Sequence, residues 1–341
     1  MRQAIRNRTS RGENMHHPPS NIIIHQLDLH TRLMSEDDPF ACFGVDNEGG
    51  GCEDLDQQSN LLDGKNATST VRDEESAGVL AFHANTERSL LMHVKNCASD
   101  DVFLPCQRVL KEIDWFCSSR HWMMNVGPEK GAIIQQCLEE AIQKKKSGMK
   151  QNFVAVELGT YCGYSSIFLS SMLKIHPERY QDCIDFKLLT VEINPEYSAI
   201  AKEMIKIAQL DDIITVLSND LLMDGSTGDV AALVKNAMED MLGLDNAPID
   251  FVMIDHDKDS YLSDLVRLER SGMIRRGTLV AADNVIFAGI QEYIEYMKEL
   301  AKEGVVKTCT REATVEYSHI NQNLKDGVEI TEYLRDPSRI D

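Results

Sequence analysis

The chain has 341 residues, a formal net charge of −20 and a pI of about 4.9. This length allows one large domain or two ordinary ones. The acidic balance predicts no nucleic acid partner and no binding to anionic membranes, because phosphate would repel the chain. No apolar run approaches transmembrane length, and nine cysteines without a CxxC pair are typical of reduced thiols in an intracellular protein.

Residues 1–85 are predicted to form a disordered acidic tail. They hold acid clusters, Pro-Pro and Gly-Gly-Gly, and they bury too little apolar surface to offset the entropy of ordering. Asn21–Leu29 is the exception, either a short docking strand or helix or a fluctuating apolar cluster. Four arginines among the first dozen residues resemble a transit peptide, but acids soon follow. We expect a cytoplasmic protein and leave organelle targeting open.

Residues 86–341 are predicted to form one α/β domain with a helical cap at its start. Apolar residues at three-to-four spacing from Glu87 onward predict a helix–loop–helix cap, and Gly131–Lys144 predicts a helix leading into the first strand. Five apolar strands then alternate with helices, which predicts a parallel, doubly wound sheet. These strands are 153–156, 187–191, 213–217, 249–254 and 279–282.

An antiparallel addition is predicted at one edge of this sheet. Val305–Thr310 and Ala313–His319 are expected to be late strands that form a hairpin, and Val328–Tyr333 another strand.

The stretch Phe153–Ile167 reads as a strand, a tight glycine turn and the start of a helix. Such a turn places backbone N–H groups above the end of the strand, and Gly159 and Gly163 allow a ligand to approach closely. The spacing is G-x-x-x-G and lacks the G-x-G-x-x-G of dinucleotide sites. On this pattern alone, an ordinary βα turn fits equally well.

Glu192 ends the second predicted strand. An acidic residue at this place in a βαβ unit can accept hydrogen bonds from a ribose diol. The two strand ends together therefore predict a nucleoside-binding crevice.

Two further strands also run directly into polar residues. Asp255 follows the fourth strand, and Asp283 and Asn284 follow the fifth. Carboxylate and amide oxygens are ligands that suit Mg²⁺, so these three residues are predicted to hold it. The alternative is that they are strand-end caps and Asx-turns, which Asp and Asn form readily.

Lys258 lies three residues after Asp255, in the loop that leaves the fourth strand. A bound cation nearby would disfavour its ammonium form, so Lys258 is predicted to be a general base. A solvated surface lysine is the alternative. His256 is expected to be structural or to stack on a ligand, since the oxygen set already accounts for the metal.

Five motifs along the chain resemble the catechol O-methyltransferases when they are taken together and in order. They are HWMMNVGPEKG, VELGTYCGYSS, LLTVEINPEY, MIDHDKDSYL and RRGTLVAADNVIFAG. The resemblance runs from about Glu87 to the C-terminal region. It implies a Rossmann-like class I methyltransferase that uses S-adenosylmethionine and has a seven-stranded sheet with helices on both faces.

The same resemblance implies roles for individual residues. The implied cofactor contacts are Met124, Val126, Glu157, Gly159, Tyr161, Ser165, Glu192, Ile193 and His256, with Ser218–Asp220 near the adenine. Asp255, Asp283 and Asn284 would hold Mg²⁺, and Lys258 would be the base. Asn284 and Glu316 would bind the two catechol oxygens, and Trp122 would form a wall of the substrate site.

The chain departs from the resemblance at two places. Asp257 replaces a tryptophan of the hydrophobic wall, and Ala288 replaces a proline after the second metal motif. An acid at the place of Asp257 resembles the caffeoyl-CoA O-methyltransferases instead. We therefore expect methyl transfer to a small phenolic molecule, a catechol or a caffeoyl-CoA-type ester.

Two other classes remain as alternatives. A nicotinamide-dependent oxidoreductase could use such a crevice, although the dinucleotide fingerprint is missing. A non-catalytic S-adenosylmethionine-binding scaffold would not need Lys258, Asp283, Asn284 and Glu316. We expect a monomer or a weak dimer.

Overall fold

The computed structural model describes residues 85–97, 102–145, 149–218, 229–317 and 324–337. The predicted tail lies outside these residues apart from Asn85, as does Asn21–Leu29. The adenine segment predicted at Ser218–Asp220 is described at Ser218 alone. No helix in these ranges combines the length and the apolar character that crossing a membrane requires.

Two helices form the predicted cap. They are α1, Thr86–Asn96, and α2, Pro105–Ser119. Leu90 and Val94 are four residues apart on α1 and both are buried, as the spacing predicts. Pro105 begins α2, where the missing N–H of proline costs no helical hydrogen bond.

The next helix, α3, spans Gly127–Lys145 and begins four residues before the predicted start at Gly131. A lysine near each end of this helix forms ion pairs with aspartate side chains. Lys130, in the first turn, contacts Asp283 and Asp326 with its ammonium group, at 2.8 and 2.9 Å. Lys145, the last residue, contacts both carboxylate oxygens of Asp250, at 2.6 and 2.7 Å.

Seven strands form one sheet in the order β3-β2-β1-β4-β5-β7-β6. Pairing is parallel from β3 to β5, and β7 pairs antiparallel with both β5 and β6. This confirms the mostly parallel sheet with an antiparallel edge hairpin. The strands are Gln151–Leu158, Ile184–Glu192, Ile214–Ser218, Phe251–Ile254, Leu279–Ala282, Val306–Thr314 and Lys325–Tyr333, β1 to β7 in chain order.

Helices cover both faces of the sheet. Along β1, Phe153 and Ala155 belong to one buried cluster, while Val154 and Val156 belong to the other. Such alternation buries both faces of a strand and confirms the doubly wound arrangement. The helices after β1 are Tyr164–Ile175, Pro177–Tyr180, Pro195–Ile207, Val230–Leu242, Tyr261–Arg270 and Gln291–Lys302, which we number α4 to α9.

The predicted hairpin between Val305–Thr310 and Ala313–His319 is wrong. Residues 306–314 form the single strand β6, and its partner in the hairpin is β7. Arg311 and Glu312, which separate the two predicted strands, continue the ladder opposite Val328 and Gly327. Because these two residues stay extended and paired, the chain does not turn back there. The strand β6 ends at Thr314, and Glu316 lies just beyond it.

Candidate active site

The end of β1 passes close to the end of β4. Gly159 has φ +101°, and a Cβ atom at this position would overlap the carbonyl oxygen of Asp255. The N–H of Asp255 donates to the carbonyl of Leu158 at 2.8 Å. Gly159 is therefore required by the meeting of two strand ends, besides any ligand that lies above them.

Glu192, at the end of β2, is held by the backbone. Its carboxylate accepts the N–H of Tyr161 and the N–H of Asn194, each at 2.8 Å. Burial raises its pKa above the ordinary value, against the lowering effect of these donors. The Glu192 carboxylate is therefore held in a fixed position at the end of β2.

Glu157 lies fully buried in β1, beneath the turn. One carboxylate oxygen accepts the hydroxyls of Ser166 and Thr190, while the other has no hydrogen-bond partner among the described residues. Burial raises the pKa of Glu157 to about 7. A buried carboxylate oxygen without a hydrogen-bond partner is costly, which sets Glu157 apart from an ordinary strand residue.

The cap reaches the turn through Tyr161. Its hydroxyl donates to the carboxylate of Glu87 on α1 at 2.8 Å, and its ring meets Tyr197 edge-on. Tyr161 has a positive φ of 48°, and the Glu87 and Tyr197 contacts fix its side chain. Glu87 was not predicted, because an acid in the first turn of a helix reads as favourable to the helix dipole.

The remaining predicted cofactor residues lie on three different segments of the chain. Ser165 is buried in the first turn of α4. Val126 is buried and Met124 is exposed, in the loop between α2 and α3. Ile193, directly after β2, is exposed.

His256 follows β4 and is fixed by two contacts. Its Nε2 lies 3.0 Å from a carboxylate oxygen of Asp264, and its ring stacks on Tyr261 with 5.2 Å between centroids. Its Nδ1 is buried and has no partner among the described residues. These contacts fit the expected structural or stacking role.

Lys258 joins the ends of β4 and β5. Its Nζ donates to Asp255 Oδ1 at 3.0 Å, to Asn284 Oδ1 at 2.9 Å and to the hydroxyl of Tyr261 at 2.6 Å. The structure therefore brings the predicted base together with two of the three predicted metal ligands. A surface lysine would not have three such partners.

The third predicted ligand, Asp283, is buried. One of its oxygens accepts from Lys130, which is itself only 2% exposed, while Oδ1 has no partner among the described residues. Burial and the nearby Asp255 carboxylate raise the pKa of Asp283, against the attraction of Lys130. Two mutually repelling carboxylates and an unpartnered buried oxygen fit a divalent cation.

Asp326, at the start of β7, completes this network. It accepts the Lys130 ammonium at 2.9 Å and the side-chain amide of Asn284 at 2.7 Å. Since the amide nitrogen of Asn284 is held there, its oxygen points to Lys258. Burial opposes the charge on Lys130, but the carboxylates of Asp283 and Asp326 outweigh it and raise the pKa of Lys130.

Glu316 lies against the first turn of α3. Its carboxylate accepts the N–H groups of Glu129 and Lys130 at 2.8 and 3.3 Å, and its backbone carbonyl accepts the indole N–H of Trp122 at 3.0 Å. Burial raises its pKa to about 7. The structure thus brings Glu316 and Trp122 together, and it links both to Asp283 through Lys130.

The two departures from the resemblance lie on the surface. Asp257 is exposed and accepts the hydroxyl of Ser260 at 2.9 Å, in the short 3₁₀ turn that carries Lys258. Ala288 is exposed next to Phe287, a ring that is 44% exposed.

The comparisons with known proteins give the family of the chain. The sequence profile of the O-methyltransferase family matches residues 106–332. The chain belongs to the O-methyltransferase family. Catechol O-methyltransferase B of Danio rerio is 33% identical over 222 residues, 65% of this chain and 72% of that protein. The catechol O-methyltransferase of Mus musculus is 34% identical over 219 residues, 64% of this chain and 70% of that protein.

A solved O-methyltransferase from Bacillus cereus, in complex with SAH, is 18% identical with a TM-score of 0.45, covering 72% of this chain and 97% of that one. Family membership identifies this chain as an S-adenosylmethionine-dependent O-methyltransferase. The family match includes every predicted site residue and leaves out α1.

Besides Glu87, three residues of this O-methyltransferase site were not predicted. They are Lys130, Tyr261 and Asp326. Lys130 lies in the motif HWMMNVGPEKG, but a lysine in the first turn of an amphipathic helix usually has its ammonium group in solvent. Asp326 and Gly327 lie within β7, so the Asp-Gly pair, which is a turn signal in sequence, did not mark Asp326.

Proposed function

We propose that the protein moves a methyl group from S-adenosylmethionine to one hydroxyl of a catechol, in a Mg²⁺-dependent reaction with Lys258 as the general base. The observation that carries the proposal is the placement of Lys258 between oxygens of Asp255 and Asn284, next to the buried Asp283. The catechol O-methyltransferase names of the relatives favour the same substrate class.

Asp255, Asp283 and Asn284 would hold the Mg²⁺ ion. When bound, it would supply a positive charge that lowers the pKa of a coordinated hydroxyl. Lys130 supports this set from behind, since its ammonium fixes Asp283 and Asp326, and Asp326 in turn orients Asn284. Groups that orient ligands in this way typically affect metal affinity or activity about 10–100-fold.

Lys258 is placed to take the proton of the reacting hydroxyl. A cation at Asp255 and Asn284 would compete for the two oxygens that now accept from the Lys258 ammonium. This competition favours the neutral amine, which has the lone pair that a base needs. Tyr261 keeps the nitrogen in place, because its hydroxyl accepts from Nζ and donates to the carbonyl of Asp283 at 3.0 Å.

The turn after β1 and the end of β2 would bind the methyl donor. S-adenosylmethionine supplies a methyl group whose bond to sulfur breaks as its bond to the phenolate oxygen forms. Glu192 would accept the ribose hydroxyls, and Ser165 and His256 would line the pocket. The main catalytic contribution of these residues is to hold donor and acceptor in near-attack geometry.

Trp122 and Glu316 would lie beside the ring of the catechol. The contact of the indole N–H with the Glu316 carbonyl fixes the two relative to each other. Glu316 would accept the second hydroxyl, in addition to the two N–H groups that it already caps. Asp257 leaves the opposite wall polar, so the preferred ring substituent is expected to be polar or long.

The test is labelled methyl transfer from S-adenosylmethionine to a catechol panel, with Mg²⁺ and with EDTA. We expect product on vicinal diphenols with Mg²⁺, a large loss with EDTA, and no product on a ring whose neighbouring oxygen is already methylated. Lys258→Ala should abolish most turnover, while Lys174→Ala should not, because Lys174 pairs with Asp212 at the surface.

Turnover that survives EDTA would contradict the metal assignment. Turnover on caffeoyl-CoA-type esters but on no free catechol would replace the substrate assignment and keep the reaction class. Tight binding of S-adenosylhomocysteine without any turnover would favour a non-catalytic protein.

A further inference from the structure

Away from the candidate active site, three different ligand-forming side chains meet between the cap helices. His93 and Cys97 are four residues apart on α1, and Glu112 faces them from α2. Nε2 of His93 is 2.9 Å from Glu112 Oε2, Sγ of Cys97 is 3.1 Å from the same oxygen, and Sγ and Nε2 are 3.6 Å apart.

We propose that this cluster is a metal site that binds Zn²⁺ and joins α1 to α2. An imidazole, a thiolate and a carboxylate form a mixed N, S and O donor set that Zn²⁺ accepts and Mg²⁺ does not prefer. Three protein ligands leave a fourth tetrahedral position for water.

The spacing of the three donor atoms is close to that of a tetrahedral site. Zinc bonds of about 2.0–2.3 Å place two tetrahedral ligand atoms about 3.4–3.6 Å apart. The sulfur–nitrogen distance already matches, at 3.6 Å. The Glu112 oxygen needs to move outward by about half an ångström, within the reach of a small side-chain rotation.

The surroundings favour coordination over a solvated cluster. His93 and Glu112 expose only 19% and 14% of their side chains. The His93 ring is stacked on Trp115, with 4.9 Å between centroids, and this fixes its plane. In the metal-free protein the Cys97 thiol donates to Glu112, so all three donor groups already face one another.

This site is separate from the proposed magnesium site. It has a sulfur ligand and lies on the cap, and two of its three residues precede the family match at residues 106–332. Helix α1 also carries Glu87, which accepts the hydroxyl of Tyr161. A zinc ion that fixes α1 on α2 would therefore also steady the Tyr161 turn.

The experiment uses the full chain, purified without metal and kept reduced. Equilibrium dialysis against Zn²⁺ alone measures retained metal, and Co²⁺ loading tests for thiolate-to-cobalt charge-transfer absorption. The variants are Cys97→Ser and His93→Gln, and the control is Cys183→Ser, which removes a half-buried thiol in another part of the fold. Circular dichroism checks that each variant is folded.

We expect about one Zn²⁺ per chain more in the wild type and in Cys183→Ser than in Cys97→Ser or His93→Gln. The cobalt–thiolate band should vanish in Cys97→Ser alone among the two cysteine variants. Added Zn²⁺ should raise the melting temperature of the wild type and leave that of a folded Cys97→Ser variant unchanged.

Equal zinc retention by the wild type and a folded Cys97→Ser variant would overturn the proposal. A cobalt–thiolate band that persists in Cys97→Ser would also overturn it, because the thiolate would then lie elsewhere. In either case the three side chains would be a hydrogen-bonded cluster.

Discussion

The two halves of the carboxyl edge of the sheet hold their carboxylates in different ways. At the ends of β1 and β2, Glu157 and Glu192 are held by hydroxyls and backbone N–H groups, and neither forms an ion pair in the described parts of the chain. At the ends of β4 and β5, by contrast, Asp255 and Asp283 are paired with the ammonium groups of Lys258 and Lys130.

Among the described residues, lysine ammonium groups therefore pair with the carboxylates at the ends of β4 and β5 and not with Glu157 or Glu192. Around β4 and β5 the protein already supplies positive charge, so an added cation must compete with Lys258. Around β1 and β2, within the described residues, Glu157 and Glu192 accept only from hydroxyls and backbone N–H groups. This difference supports the proposal of a metal and its base on one side and a sulfonium donor on the other.

The largest effect is expected when the Lys258 ammonium, which would compete with a bound cation, is removed. We expect Lys258→Ala to lower kcat by about 10²–10⁴-fold, the usual contribution of a general base. The affinity for Mg²⁺ should stay constant or rise, because Asp255 and Asn284 lose their ammonium partner. Steady-state kinetics over a Mg²⁺ titration measure both quantities, and a parallel fall of Mg²⁺ affinity and kcat would contradict the competition.

The second test removes the buried cation. Lys130→Met leaves Asp283 and Asp326 buried and without their ammonium partner, which should lower the free energy of unfolding by about 3–5 kcal/mol. The loss should shrink at acid pH, where the two carboxyl groups take up protons. Urea unfolding at several pH values measures it, with Lys174→Met as the surface control; equal losses in the two variants would show that burial of the Lys130 pair has no energetic role.

The third test concerns Glu192, at the end of β2. We expect Glu192→Gln to weaken S-adenosylhomocysteine binding about tenfold, which corresponds to about 1.4 kcal/mol, because a charged acceptor is lost. Mg²⁺ affinity should not change. Calorimetric titration of both ligands separates the two ends of the edge, and an equal effect on both would mean that they do not act separately.

The smallest effect is expected at Glu316. Its carboxylate accepts backbone N–H groups, as that of Glu192 does at the end of β2, but Lys130 links it to Asp283 at the end of β5. Its pKa is raised from the ordinary 4.5 to about 7, so the folded protein binds its proton more tightly than the unfolded chain. Stability from this group is therefore present below pH 4.5 and lost as the pH rises towards 7.

Glu316→Gln keeps an oxygen for the Glu129 N–H and removes the titration. Between those pH values, the free energy of unfolding of the wild type should fall relative to the variant, by up to about 1 kcal/mol per pH unit. Chemical denaturation across that range measures the difference. A constant difference would show that Glu316 is ionised throughout.

Much of the site was predictable because parallel strands bring their carboxyl ends to one edge. Asp255, Asp283 and Asn284 each follow a recognisable apolar strand, and Lys258 is three residues from the first of them. Lys130 was not predictable, since its two carboxylate partners are 153 and 196 residues further along the chain. The β6 strand was misread because a charged Arg-Glu pair within a strand looks like a turn in sequence.

The ion pairs near the two ends of α3 have a consequence for insertions and deletions. Lys130 contacts the carboxyl end of β5, and Lys145 contacts Asp250, which immediately precedes β4. The helix therefore runs along the strands, from the carboxyl end of β5 to the amino end of β4. A single inserted residue between the two lysines would turn one relative to the other by about 100°, so we expect substitutions along α3 to be tolerated much better than changes of its length.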